Sequence, residues 1–443
     1  MLALGYILFI NEQCKEVRVS VKFIPIVISS LTLFISAHLM AAQTLINADA
    51  LIDVENGKTI KDVAVLVEGN RIIRIADQGD IKVSDDANVI DLSGKTLVPG
   101  LMDMHVHLTG DAADNFLASR GNSVPRQTVK AVKNAEKTLM AGFTTVRNLG
   151  ASGYSVIAVR DGVNAGEVPG PRIWAAGHSV GITGGHCDDN FSPPEAKSRS
   201  NGAADGPWAV RAKVRENIKY GANTIKVCAT GGVFSKGTKV GIQQLTEEEI
   251  RAAVEEAHMR GLIAAAHAHG TEGIKAAIKA GIDSIEHCSF MDQEAIDLAL
   301  EHGTFLSCDI YNTEYTLAFG EANGVPEENI NKEKEVGTIQ RESFRKATLA
   351  GVKMVFGSDA AIYPHGDNGK QFSRMVKFGM TPMQSLQAAT INSATLLKQN
   401  AELGQIKEGF LADIVAVDGD PIKNINVMEN VSFVMKDGVV YKQ

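Results

Sequence analysis

Seven polar residues stand at or near the ends of short apolar runs. His105 and His107 close LVPGLMDMHVH, Lys226 lies in TIKVCAT, His267 and His269 belong to LIAAAHAH, His287 to DSIEHC, and Asp359 to KMVFGSD. Residues two apart on a strand point to one face, so each His-x-His pair presents two imidazoles together. Imidazoles and a carboxylate on one rim are ligand types for zinc or a similar divalent ion. A lone histidine at a strand end is more often a hydrogen-bonded structural residue, but two His-x-His pairs, a further histidine and a strand-end aspartate together are not read that way. Lys226 poses a separate problem. A cation inside an apolar strand is costly to bury, so its amine should be paired or chemically altered.

These residues need elements that bring them to one rim. Eight apolar runs (LVPGLMDMHV, FTTVRNL, RIWAAG, TIKVCAT, LIAAAHA, DSIEHC, TFLSCDI and KMVFGSD) alternate with helical patterns or long loops. Among the helical patterns, TEEEIRAAVEEAHMRG has Thr246 to cap it, Glu249 three residues later and Gly261 to stop it. Runs apolar on both faces suit parallel strands covered on both sides, which predicts an α/β fold built on a (β/α)8 TIM barrel over residues 98–400, with function at the carboxyl ends of its strands. Residues 43–97 and 401–443 read as short strands with glycine turns, predicting a small β-sandwich domain formed by both chain ends. No GxGxxG or GxxxxGK[ST] follows the first barrel strand, which removes the dinucleotide and P-loop readings.

The formal charge of −8 over 443 residues, with no basic stripe, excludes a nucleic-acid footprint and leaves small molecules or peptides as partners. Residues 1–42 read as a signal peptide: Lys15, Arg18 and Lys22 precede an apolar run from Phe23 to Ala37, followed by Ala41 and Ala42. The run is shorter than the ~20 residues of a membrane span, so no stable span is expected after cleavage, and the expected location is periplasmic or secreted. An uncleaved anchor is the alternative, and the apolar stretch before Cys14 suggests a later true start. Cys187, Cys228, Cys288 and Cys308 fit no zinc ribbon or CxxC spacing, and three of them sit in or beside strand-like runs. The expectation is buried free thiols and no structural disulfide.

The segments LVPGLMDMHVHL, IKVCATGG, AAAHAHG, IEHC and FGSDA, with the terminal GFLADIVAVDGDP, resemble the amidohydrolase superfamily of metal-dependent hydrolases. More narrowly, TTVRNLG, GPRIWAAG, TGGHCD, CATGGVFS, DIYNTEYT and IYPHGDNGKQF are similar to its exported branch of Xaa-Pro dipeptidases and zinc-dependent Xaa-Arg or Xaa-Lys carboxypeptidases, which is imidazolonepropionase-like. The likeness spans essentially everything after Gln43. It implies two divalent metal ions, zinc being the expected one, with His105 and His107 on the buried ion and His267 and His287 on the other. Asp359 would contact the buried ion and shuttle protons, and Lys226, carboxylated by CO2, would bridge both ions as a carbamate. The reaction implied is amide hydrolysis by a metal-bridging hydroxide, on dipeptides or N-acyl amino acids with a free carboxylate.

The loop residues His186, Tyr311, Tyr315, Arg147 and His365, with His269 beside the metal ligands, are the candidates to hold substrate. Tyr311 and His186 are the first choices. A homo-oligomer is compatible with this reading. The alternatives are an amidase or lactonase acting on other small amides or esters, a mononuclear deaminase of the same superfamily, and a metal-binding protein without activity. Lys226 argues against the deaminase and Asp359 against the inactive binder.

Overall fold

A computed structural model describes residues 43–443, so the expected signal peptide lies outside the described residues. The chain opens with β1 (Gln43–Asp53), β2 (Lys58–Glu68), β3 (Arg71–Asp77) and β4 (Asn88–Pro99). Eight short strands follow: β5 (Leu101–Val106), β6 (Phe143–Asn148), β7 (Arg172–Ala175), β8 (Ile225–Cys228), β9 (Ala264–Ala268), β10 (Ser284–His287), β11 (Phe305–Ser307) and β12 (Met354–Val355). It ends with β13 (Ile414–Asp418), β14 (Val431–Lys436) and β15 (Val439–Lys442).

The eight runs read from the sequence are these eight middle strands. Every residue of β5, β6, β8, β9, β10, β11 and β12 is buried, as expected of strands covered on both faces. They pair in parallel as a three-stranded sheet, β5-β6-β7, and a five-stranded sheet, β8 to β12. Further backbone hydrogen bonds join β5 to the residues just after β12, and β8 to Val180 in the segment after β7. Met104 N–H donates to Phe356 at 2.8 Å and Asp359 N–H to His105 at 2.7 Å on one side; Val180 N–H donates to Lys226 at 2.8 Å and Cys228 N–H to Val180 at 2.8 Å on the other.

Helices separate the strands. Glu247–His258 carries the capping box expected of Thr246 and Glu249, and it buries Ile250, Ala253, Val254 and Ala257. One large core joins these helices to the strands. No helix among the described residues is long and apolar enough to cross a membrane.

The chain ends share one seven-stranded sheet, in the order β15-β14-β13-β4-β1-β2-β3. It stands in place of the two facing sheets expected from the sequence. The reason is β4, which runs parallel to β1 on one side and antiparallel to β13 on the other, so pairing continues from one chain end to the other.

Candidate active site

At the carboxyl ends of the middle strands lies a cavity of about 200 Å³. His105, His107, Lys226, His267, His269, His287 and Asp359, brought from β5, β8, β9, β10 and the turn after β12, all line it. Ligand atoms of His105, His107 and Asp359 fall within 4.8 Å of one another, as do those of His267, His269 and His287. Asp359 Oδ1 is 3.4 Å from Nε2 of both His105 and His107. The rings of His267 and His287 are 4.5 Å apart.

Local backbone aims two of these groups. His287, Cys288 and Asp359 have φ of 74°, 54° and 54°, a left-handed conformation costly for residues with a β-carbon, which the surrounding structure must enforce. Gly232 serves by its lack of a side chain: a β-carbon there would lie 2.6 Å from the His186 ring and 2.7 Å from that of His267. That leaves the two imidazoles free to stack at 3.9 Å.

A layer of buried partners orients the rim. Asp309 accepts from His287 Nδ1 at 2.9 Å, and Gln340 donates to the same carboxylate at 3.0 Å. Ser289 bonds His269 Nδ1 at 2.7 Å, and Ser235 bonds His186 Nδ1 at 2.9 Å. Asn312 donates to Asp309 at 2.5 Å and to Asp359 at 3.3 Å. Glu286 Oε2 is 3.3 Å from His105 Nδ1, while its other oxygen accepts from Arg147 at 2.7 Å. Such outer partners set the tautomer and ring orientation of ligating histidines.

Burial dominates the electrostatics. It holds His105, His267 and His269 well below the usual imidazole range and His107 near 4, so all four are neutral, as metal ligation requires. His287 is the exception: burial alone would lower it, but the Asp309 carboxylate raises it. Burial pushes Asp359 up to about 7 and Lys226 down to about 8.

Burial would also raise Glu286, but the Arg147 guanidinium and then His105 hold it well below the usual carboxylate range. The donor set fits divalent cations on an observation of its own. His267 Nε2 is buried without a hydrogen-bond partner, the state of an imidazole nitrogen meant for another acceptor or an ion.

The residues expected to hold substrate separate. His186 and His269 line the cavity. Arg147 does not: it is fully buried beneath the site, with Met104 O, Ser284 and Glu286 taking its donors. Its side chain, carried by β6, is spent on these buried partners and does not reach the cavity lining. His365 is likewise buried, bonded to His107 O at 3.2 Å and to Thr138 at 3.3 Å, behind the rim. Tyr311 packs its ring against Tyr363 at 4.8 Å and under the Arg374 guanidinium at 4.6 Å, outside the cavity lining, and Tyr315 neighbours Tyr363 and Phe319.

Asp309, Asn312 and Glu333 are among the cavity-lining residues that escaped the sequence reading. Asp309 had a signal, since it is the last polar residue of the seventh apolar run as Asp359 is of the eighth.

The cysteines also differ from expectation. Cys187 and Cys228 form a disulfide, with Cα atoms 6.2 Å apart, while Cys288 and Cys308 are free and buried as expected. The pairing arises because the loop after β7 returns across the strand ends, a long-range contact that spacing does not reveal. Above the cavity, and sharing His107, Ser179 and Cys187 with it, opens a wider cleft of about 1170 Å³.

Comparison with known proteins sets this geometry among relatives. The profile of the amidohydrolase family matches residues 96–441. Ochratoxinase of Aspergillus niger is 30% identical over 429 residues, 91% of this chain and 87% of that protein. A solved Xaa-Pro dipeptidase with methionine bound in its active site superposes with a TM-score of 0.85 at 41% identity, over 91% of this chain and all of that one. A prolidase structure complexed with N-methylphosphonate-L-proline gives a TM-score of 0.83 at 30% identity, over 91% and 100% of the two chains.

Proposed function

The chain belongs to the amidohydrolase family and is a hydrolase acting on C–N bonds, and from that premise we propose that it is a two-metal dipeptidase or carboxypeptidase. Its substrates would be dipeptides or N-acyl amino acids with a free carboxylate, of Xaa-Pro or Xaa-Arg and Xaa-Lys type. The observation that carries this reading is the convergence of six imidazoles, Lys226 and Asp359 on one cavity. We read the eight middle strands as a closed (β/α)8 barrel over residues 98–400, a reading supported by the backbone bonds from β5 to the residues after β12 and from β8 to Val180.

His105, His107 and Asp359 would hold one ion and His267 and His287 the other. Lys226 has the burial and lowered pKa of an amine that reacts with CO2, and as a carbamate anion it would no longer be a buried cation. Divalent ions, zinc by the ligand types, supply Lewis acidity and acidify water when bound. The chain does the rest. Asp359, reached by Asn312 on one oxygen and facing His105 and His107 with the other, would take a proton and return it to the departing amine. Asp309 holds the His287 ring in place. His186, stacked on His267, is the contact best placed to meet the substrate.

The Cys187–Cys228 disulfide supports an oxidising compartment, periplasmic or secreted. A broader amidase is the second reading, favoured by the wide outer cleft and by the likeness to ochratoxinase.

A library of dipeptides, dipeptide amides and N-acyl amino acids, assayed with metal and bicarbonate supplied, tests the proposal. Expected are hydrolysis restricted to free acids and about two divalent ions per chain, as in two-metal sites. Lys226→Ala should be inactive and partly restored by short carboxylic acids. Full activity with one ion or none overturns the two-metal reading, and amides cleaved as fast as acids move the assignment to the broader amidase.

A further inference from the structure

Glu333 is an acid that the scheme above leaves without work. It lies on the helix Glu327–Ala350, is 4% exposed, and lines the inner cavity together with Val233, Phe234 and Asn312. One carboxylate oxygen accepts from the Thr313 hydroxyl at 2.6 Å. No cation comes within ion-pair distance of it among the described residues: its helix neighbour Lys332 is taken by Glu328 and Ser235 O, and Arg341 by Glu314. Val233, Val240 and Val336 pack as a small cluster beside Phe234, and the charges of Asp309, His287 and Arg341 reach Glu333 at longer range.

Burial pushes the Glu333 carboxyl up to about 7, so a cation arriving with a ligand is what would hold it in its carboxylate form. It is separate from the metal-ligating groups, yet it opens on the same cavity.

Resting on the hydrolase reading above, we propose that Glu333 is a specificity-determining residue that pairs with a cationic nitrogen of the substrate. Two sources carry that chemistry: the α-ammonium of a dipeptide and the basic side chain of a terminal Arg or Lys. The apolar wall of Val233 and Phe234 would strengthen the pair by excluding water from it.

The experiment compares the metal-loaded wild type with Glu333→Gln on four substrates: Ala-Pro, N-acetyl-Ala-Pro, N-acetyl-Arg and N-acetyl-norleucine. Metal content and melting temperature are measured alongside, so that a folding defect is seen directly. Glu333→Gln keeps the shape and an acceptor for Thr313. Its kcat/KM should fall about 10- to 100-fold on the cationic substrates, the scale of a charge-assisted hydrogen bond, mainly through KM, and stay within about threefold on the neutral ones.

A loss confined to Ala-Pro assigns the α-ammonium, and a loss confined to N-acetyl-Arg assigns the side chain. Equal change across all four substrates, or a variant that loses its metal, overturns the inference while leaving the hydrolase reading intact. A wild type that cleaves none of the four defeats the dipeptidase and N-acyl amino acid reading instead.

Discussion

The strand ends and the loops that follow them obey different rules in this molecule. Every strand-end residue singled out for chemistry meets the others in one cavity. The residues singled out on other grounds scatter: His186 reaches the cavity, whereas Tyr311, Tyr315 and His365 pack elsewhere, and Arg147 lies beneath the rim. A strand's direction and the alternation of its side chains are local properties, so the end of a parallel strand is an address. A loop residue's address depends on what the loop folds against.

The sharpest way to break that comparison lies beneath the rim. Arg147→Met would leave the fully buried Glu286 without its guanidinium, and removal of one partner of a buried pair costs roughly 3–5 kcal/mol. Chemical denaturation should show that loss, with activity falling only as far as His105 is disturbed. A variant as stable as wild type, with altered substrate preference, would return Arg147 to the substrate.

The covering loop is tested by Cys187→Ser. Closing a loop of 41 residues is worth about 2–4 kcal/mol in the chain-entropy account, so the variant should melt lower while keeping its metals. Unchanged melting would mean that the bridge does not constrain the unfolded chain.

On the rim, Asp359→Asn should fold normally and turn over about 10² or more slower, the scale of a lost acid/base group. Normal turnover would place the proton shuttle elsewhere. The smallest effect is expected of Tyr311→Phe, whose hydroxyl lies outside the cavity lining: within about threefold on kcat/KM for every substrate, an interaction change below ~0.7 kcal/mol. A loss beyond tenfold would show that the loop moves Tyr311 over the substrate during turnover.

Sequence and structure agree where the signal is periodic. The eight middle strands, the cap of the helix at Thr246 and the gathering of two His-x-His pairs with Lys226, His287 and Asp359 could all be read from apolar runs and their polar ends. The terminal strands were visible too, but their pairing as one sheet depends on β4 having partners more than 300 residues apart in sequence on one of its sides, which no local pattern encodes. Asp309 was missed because the run holding it was read for its apolar residues and its last polar one passed over. Glu333 was hidden more thoroughly: in KEKEVG it looks like one more solvated acid on a helix, and only its burial at the cavity and its bond to Thr313 show otherwise.

The Cys187–Cys228 bridge makes the chain between those residues a covalent ring, and Ser192 to Arg199 is its most exposed arc. A protease that cuts that arc linearises the ring without releasing a fragment. The amino-terminal piece, with His105, His107 and His186, stays fastened to the piece bearing Lys226, His267, His287 and Asp359. Nicked molecules would run as one band until a reductant is added, and the halves of the site would share a fate even after the backbone between them is gone.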